Sequence, residues 1–166
     1  MTSYRLTLTT LMAALWLAGC GSVSLEHAAP HSFNLSGDWV LVPDLSDAPP
    51  KPREIRSRGG SLLTFVVQDF PVLDARRLHI EQNRDSMGIS YDGGDYRDVS
   101  WGTRQRGLWE VRAGWNEGRL MILSDAPDGR GQEILTLSQD GQQLEVFVEV
   151  HAGGDSVKAV RTYRRA

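Results

Sequence analysis

From residue 76 to its end the chain repeats one pattern eight times: a short run of alternating apolar and polar residues, then a connection with room only for a turn. The runs are RLHIEQ, MGISYD, YRDVSW, LWEVRAGW, RLMILS, EILTLSQ, QLEVFVEVH and VKAVRTYRR. Alternation with period two is the mark of a strand with one buried face. Between the runs lie NRDS, GGD, GTRQRG, NEG, DAPDGRGQ, DG and AGGDS, all dense in turn formers. Such connections are too short for the crossovers that parallel strands need, so neighbours in sequence lie antiparallel. Eight or nine strands left flat would expose two long edges. The pattern therefore predicts an all-β, antiparallel up-and-down meander that closes into a barrel or curls strongly.

The first strand precedes this array. In FNLSGDWVLVP, residues 33–43, Trp39 and Leu41 alternate with Val40 and Val42. A Pro-rich loop follows, and then residues 54–70, where Leu62, Val66 and Phe70 recur at helical spacing. One short helix across an end of the sheet is expected there. Elsewhere alternation assigns faces: Leu144, Val146, Val148 and Val150 point inward, as do Leu78 and Ile80, and Trp109, Val111, Ala113 and Trp115 share a face. At 40% apolar residues, a domain of this size buries enough surface to need no disulfide.

The N-terminus carries a separate message. Arg5 is the only charge before residue 20 and precedes LTLTTLMAALWLAG, an apolar segment too short to span a bilayer. The segment ends in Leu17-Ala18-Gly19-Cys20, and Cys20 is the chain's single cysteine. This resembles the bacterial lipobox. The resemblance implies a signal peptide over 1–19, cleavage before Cys20, and acyl chains on its thiol and new amine. Two or three acyl chains give stable anchoring where one gives only marginal binding. Gly21, in the place where an aspartate would retain the protein in the inner membrane, resembles the outer-membrane default. Residues 20–32 then read as a lipidated tether in which His27 and His31 are solvated, and 33–166 as the folded domain. The expected location is the cell envelope, anchored to the outer membrane and facing the periplasm.

A second resemblance lies in LSGDW, residues 35–39, which is similar to the Gly-x-Trp opening of lipocalin-like barrels. It implies that Trp39 closes one barrel end and that an arginine of the last strand lies over its ring. VRTYRR offers Arg161, the expected partner, and Arg164. A guanidinium over an indole contributes about 0.5–2 kcal/mol. The whole pattern also looks like small proteobacterial lipoproteins of unknown function.

No residue pattern argues for catalysis. The four histidines are scattered and the cysteine is taken by the anchor, so neither a zinc site nor a thiol nucleophile is expected. DGGD, residues 92–95, reads as a turn rather than a calcium loop. A net charge of −3 argues against nucleic acid as a partner. No cofactor is expected. The richest stretch is 91–115, which holds Trp101, Trp109 and Trp115 with Arg97, Arg104, Arg106 and Arg112. Two readings stand. The tryptophans line a pocket for a small apolar or amphiphilic ligand, with Arg104 and Arg106 at its mouth. Alternatively the tryptophans fill the core, the arginines pair with neighbouring acids, and the domain is an envelope module that binds a protein partner.

Overall fold

The computed structural model describes residues 23–51 and 67–166. Ten strands form one antiparallel sheet. They are β1 (Gly37–Leu41), β2 (Arg77–Gln82), β3 (Ser86–Tyr91), β4 (Asp95–Ser100) and β5 (Gly102–Arg106). The others are β6 (Trp109–Asn116), β7 (Arg119–Ala126), β8 (Gly129–Leu137), β9 (Gln143–Ala152) and β10 (Asp155–Arg165). Every strand pairs with its sequence neighbour except β4 with β5, and β1 pairs with β10. The meander thus closes on itself and leaves a single seam between β4 and β5. There are ten strands rather than eight or nine because GTRQR, expected to be a connection, is β5. The corner into it turns at Trp101 and Gly102, whose φ of +93° lies where glycine is favoured.

Alternation places side chains as the sequence implies. Leu144, Val146, Val148 and Val150 are at most 1% exposed, and Leu78 and Ile80 are buried, while His79 and Glu81 face out. Trp109, Val111, Ala113 and Trp115 are all buried. At about 25 cal/mol per Å2 of apolar area, this interior is the largest stabilising contribution.

The two ends differ. At the base, where β1 begins, Leu35, Trp39, Trp115 and Leu120 are at most 1% exposed. Trp39 donates its indole N–H to the Leu35 carbonyl at 2.8 Å. Trp39 does close this end, but the guanidinium over its ring, 4.3 Å from the centroid, belongs to Arg165. Register is the reason: Trp39 lies opposite Arg165 in the β1–β10 pair. Arg161 is instead at the far end, donating to the carbonyls of Asp47 and Ala75.

That far end is capped by the β1–β2 connection. Its two described flanks each carry a short 3-10 turn, Pro43–Leu45 and Pro71–Leu73. Both are fastened to β10: Thr162 bonds Leu45 and Ser46, and the Tyr163 hydroxyl donates to the Val72 and Ala75 carbonyls. The tip of the Phe70 ring abuts Gly131 of β8, where a β-carbon would come 2.1 Å from it. The helix expected within 54–70 falls mostly outside the described residues.

The segment expected to run free as a tether is fastened to β6, where the Ser24 carbonyl accepts from the Asn116 side chain at 3.3 Å. Glu26 and Trp115 exchange backbone hydrogen bonds, both of 2.8 Å, because β6 extends past the last residue of β5 that pairs with it. Ala29 packs against the core, whereas His27 and His31 are exposed.

Candidate functional site

A layer of polar side chains crosses the interior beneath the cap. Arg97 of β4 and Glu133 of β8 form an ion pair, each side chain 2% exposed. Their strands lie on facing walls of the barrel and share no backbone hydrogen bonds, so the pair is a strut across the lumen. Both point inward for reasons of parity. Arg97 shares the face of buried Val99, and Glu133 shares that of buried Leu135.

Four donors of this upper interior are buried with no close hydrogen-bond partner among the described residues: Arg97 Nη2, the Tyr91 hydroxyl, Ser124 Oγ and Arg161 Nε; Arg97 and Tyr91 are near enough to act on each other. A buried polar group left unsatisfied costs about 1–3 kcal/mol. Tyr91 sits on β3 beside β4, and Ser124 on β7 is diagonal to Glu133. Burial pushes the Tyr91 phenol well above its ordinary range, and the Glu133 charge adds to the rise. Tyr163 is likewise pushed up to about 12, first by burial. Arg106, half-buried at the top of β5, is held below its ordinary value by burial and by the like charge of Arg97. Asp69, exposed on the cap, accepts the Trp109 indole N–H at 2.8 Å.

The residues singled out from the sequence divide between the two ends. Trp101 and Trp115 meet edge-on at the base, 4.5 Å between centroids, with Phe33 on the other side of Trp115. Trp109 is at the capped end against Phe70, 5.8 Å away. The three tryptophans therefore do not line one pocket. Arg106 joins the polar layer; Arg104, on the seam edge, is exposed. Glu133, Tyr91 and Ser124 were not singled out from the sequence. Their signal is a polar residue on the apolar face of a strand.

The clefts lined by described residues lie outside the lumen. One, of about 370 Å3, crosses the outer face of β6–β9. There Glu149 accepts from Gln132, His151 and Lys158 at 2.7–2.8 Å, so its carboxylate is fully engaged. A second, of about 660 Å3, runs under residues 43–49 at the rim, and a third, of about 470 Å3, lies at the β7–β8 and β9–β10 turns. Among the described residues no three His, Cys, Asp or Glu side chains converge as metal ligands.

No protein family and no curated protein matches this chain. Solved structures do match its fold. Fatty-acid-binding protein 1 of Echinococcus granulosus is 13% identical, with 80% of this chain and 97% of that one covered and a TM-score of 0.54. Human cRBP IV is 21% identical, covers 81% and 99%, and has a TM-score of 0.52. Zebrafish ileal bile acid-binding protein, solved with cholic acid, is 15% identical over 79% and 98%, with a TM-score of 0.50. The architecture is that of the lipocalin-like and fatty-acid-binding barrels.

Proposed function

We propose that this protein is a non-enzymatic envelope lipoprotein, anchored through acylated Cys20, whose barrel holds a small amphiphilic ligand in the upper lumen. The observation that carries the reading is the set of buried donors without a close hydrogen-bond partner, Arg97 Nη2, Tyr91 OH, Ser124 Oγ and Arg161 Nε, at the capped end of the lumen. Several kcal/mol of unmet hydrogen bonding is a standing preference for a ligand that brings acceptors. The similar structures named for fatty acid and bile acid lend the reading support. Outer-membrane anchoring and a periplasm-facing domain complete the proposal, resting on the Leu17–Cys20 segment and Gly21. With Glu26 fixed to β6, only five residues lie between the anchor and the point of attachment. At about 3.3 Å per residue the base is held within roughly 20 Å of the bilayer.

Native mass spectrometry of the gently purified chain tests the carrier. A retained mass that leaves on denaturation and is weakened by Arg97→Met is expected. A bare chain that takes up no added amphiphile would overturn the reading. For the anchor, Cys20→Ser should move the protein from the membrane to the soluble fraction, and unchanged membrane retention would refute it.

A second reading has its own observation. Tyr96 on β4 and Leu108 in the β5–β6 turn are 65% and 81% exposed, and both flank the seam. If the lumen proves filled, this apolar margin is where a protein partner would dock, and photocrosslinkers at 96 and 108 would capture it.

A further inference from the structure

The outer wall of the barrel carries an apolar row that the interior does not use. Met121 of β7, Ile134 of β8, Phe147 of β9 and Val160 of β10 point outward, each next in sequence to a buried inward residue. Each lies directly opposite the next across its strand pair, so the four form one band about 15 Å long at the spacing of neighbouring strands. Ile134, Phe147 and Val160 are half-buried. The N-terminal segment sits on one end of the band. Met121 is opposite Gly114, and a β-carbon at Gly114 would fall 2.6 Å from the Glu26 carbonyl and 2.9 Å from Leu25. With that segment over Gly114, Met121 is only 8% exposed although it faces outward. At the other end the Val160 carbonyl accepts from the Asp47 N–H, and the same loop carries Leu45, 56% exposed.

What lies against this band follows from where the tether leads. Five residues lie between Cys20 and Glu26, so an acylated Cys20 holds lipid within about 20 Å of the band's near end. The turns at the base offer lipid no apolar side chain; they present exposed Asn83, Arg84, Asp85, Glu117 and Asp140. Nor do the charges beside the band oppose an anionic surface. The outward charged side chains of β8–β10 are Arg130, Lys158 and Arg164 against Glu145 and Glu149, and Glu149 is engaged by Lys158 and His151. We propose, resting on the acyl anchor at Cys20, that the barrel lies with the outer face of β7–β10 on the bilayer, Ile134, Phe147 and Val160 entering the headgroup region. Apolar side chains flanked by cations are the chemistry that such an interface takes. The same orientation brings the cleft under residues 43–49 next to the lipid, since Asp47 is bonded to Val160.

The test uses the full acylated chain in vesicles of phosphatidylethanolamine and phosphatidylglycerol. A benzophenone amino acid is placed singly at position 134, 147 or 160, and at the exposed outward position 98 of β4, on the facing wall, as the control. Flotation of the vesicles reads the anchor; after photolysis, mass spectrometry reads the lipid adducts. Adducts on the band are expected to exceed those at 98 by about tenfold, the ratio that an orientational preference of about 1.4 kcal/mol sets. Phe147→Glu should cut the adducts at 134 several-fold while the chain still floats. Should a substitution at 147 disturb the fold, positions 134 and 160 decide. Equal adducts at 98 and on the band, in a chain that floats, overturn the orientation and leave the anchor standing. Adducts to protein in place of lipid at 134 and 160 overturn it in favour of a partner or a second copy on this face. A chain that does not float with the vesicles overturns both.

Discussion

Replacing Glu133 by leucine probes the strut across the lumen most sharply. The side chains are similar in size, so little cavity or overpacking is created; what changes is that the Arg97 guanidinium, 2% exposed, loses its counter-charge. Removing one partner of a buried pair costs about 3–5 kcal/mol, because the remaining charge is left desolvated. That is a large fraction of the roughly 5–15 kcal/mol by which domains are stable. Arg97→Met should cost a similar amount by stranding the Glu133 carboxylate. The double variant Arg97→Met/Glu133→Leu removes both desolvation penalties and should be close to wild type, or more stable by up to about 4 kcal/mol. Urea unfolding followed by tryptophan fluorescence, with m-values compared, measures all four states of the cycle. The strut also ties β4, the edge of the seam, to the facing wall, so amide exchange in the single variants should accelerate first in Asp95–Ser100. A single variant that loses less than about 1 kcal/mol, or a double variant that loses the sum of both, would refute the reasoning.

The remaining predictions concern the two ends. Gly131→Ala puts a methyl group into the Phe70 ring and should cost about 1–3 kcal/mol by lifting the cap; Phe70→Leu in the same chain should recover part of it in thermal unfolding. Arg165→Met removes the cation over Trp39 and the hydrogen bonds to the Asn34, Ser36 and Gly141 carbonyls. A loss of about 2–3 kcal/mol is expected, with a shift in the Trp39 indole resonance that Arg161→Met does not produce. Stability should also fall in alkali. Tyr163 titrates at about 12 in the fold and near 10 unfolded; Tyr91 is raised as well. Between those values the unfolded chain has lost protons that the fold retains. Stability is therefore whole below a pH of about 10 and declines above it by about 1.4 kcal/mol per pH unit for each tyrosine. Urea midpoints from neutral to strongly alkaline pH should follow this decline, less steeply in Tyr163→Phe.

Most of the barrel is legible in the sequence because its strands are long, alternate cleanly and are joined by turns. β9 is the clearest case: Leu144 to Val150 declare the inner face without help from tertiary contacts. β5 is hidden because it is an edge strand at the seam and GTRQR carries no large apolar residue to alternate. The last-strand sequence points to Arg161 over Trp39, four residues from the Arg165 that lies there. Arg161 and Arg165 share a strand face, and only the register of β1 on β10 chooses between them, at about 3.4 Å of shift per residue. The polar layer was visible only in part. Arg97 follows the parity of Val99, and Glu133 that of Leu135, so each reads as a charge on an apolar face. Charged residues are rarely buried unless paired, and the pairing joins strands on facing walls, which no local pattern of sequence records.

The claim that the upper lumen binds an amphiphile is tested most directly by the tryptophan indole spectrum of the full chain during titration with hexadecanol. Four tryptophans, Trp39, Trp101, Trp109 and Trp115, are distributed along the barrel, and single Trp→Phe variants assign their 1H–15N signals. Trp109, bonded to Asp69 at the capped end, should shift saturably, while Trp39, sealed into the base on the Leu35 carbonyl, should stay in place. A spectrum in which Trp109 does not move at any concentration, or moves only together with all the others, would contradict the account.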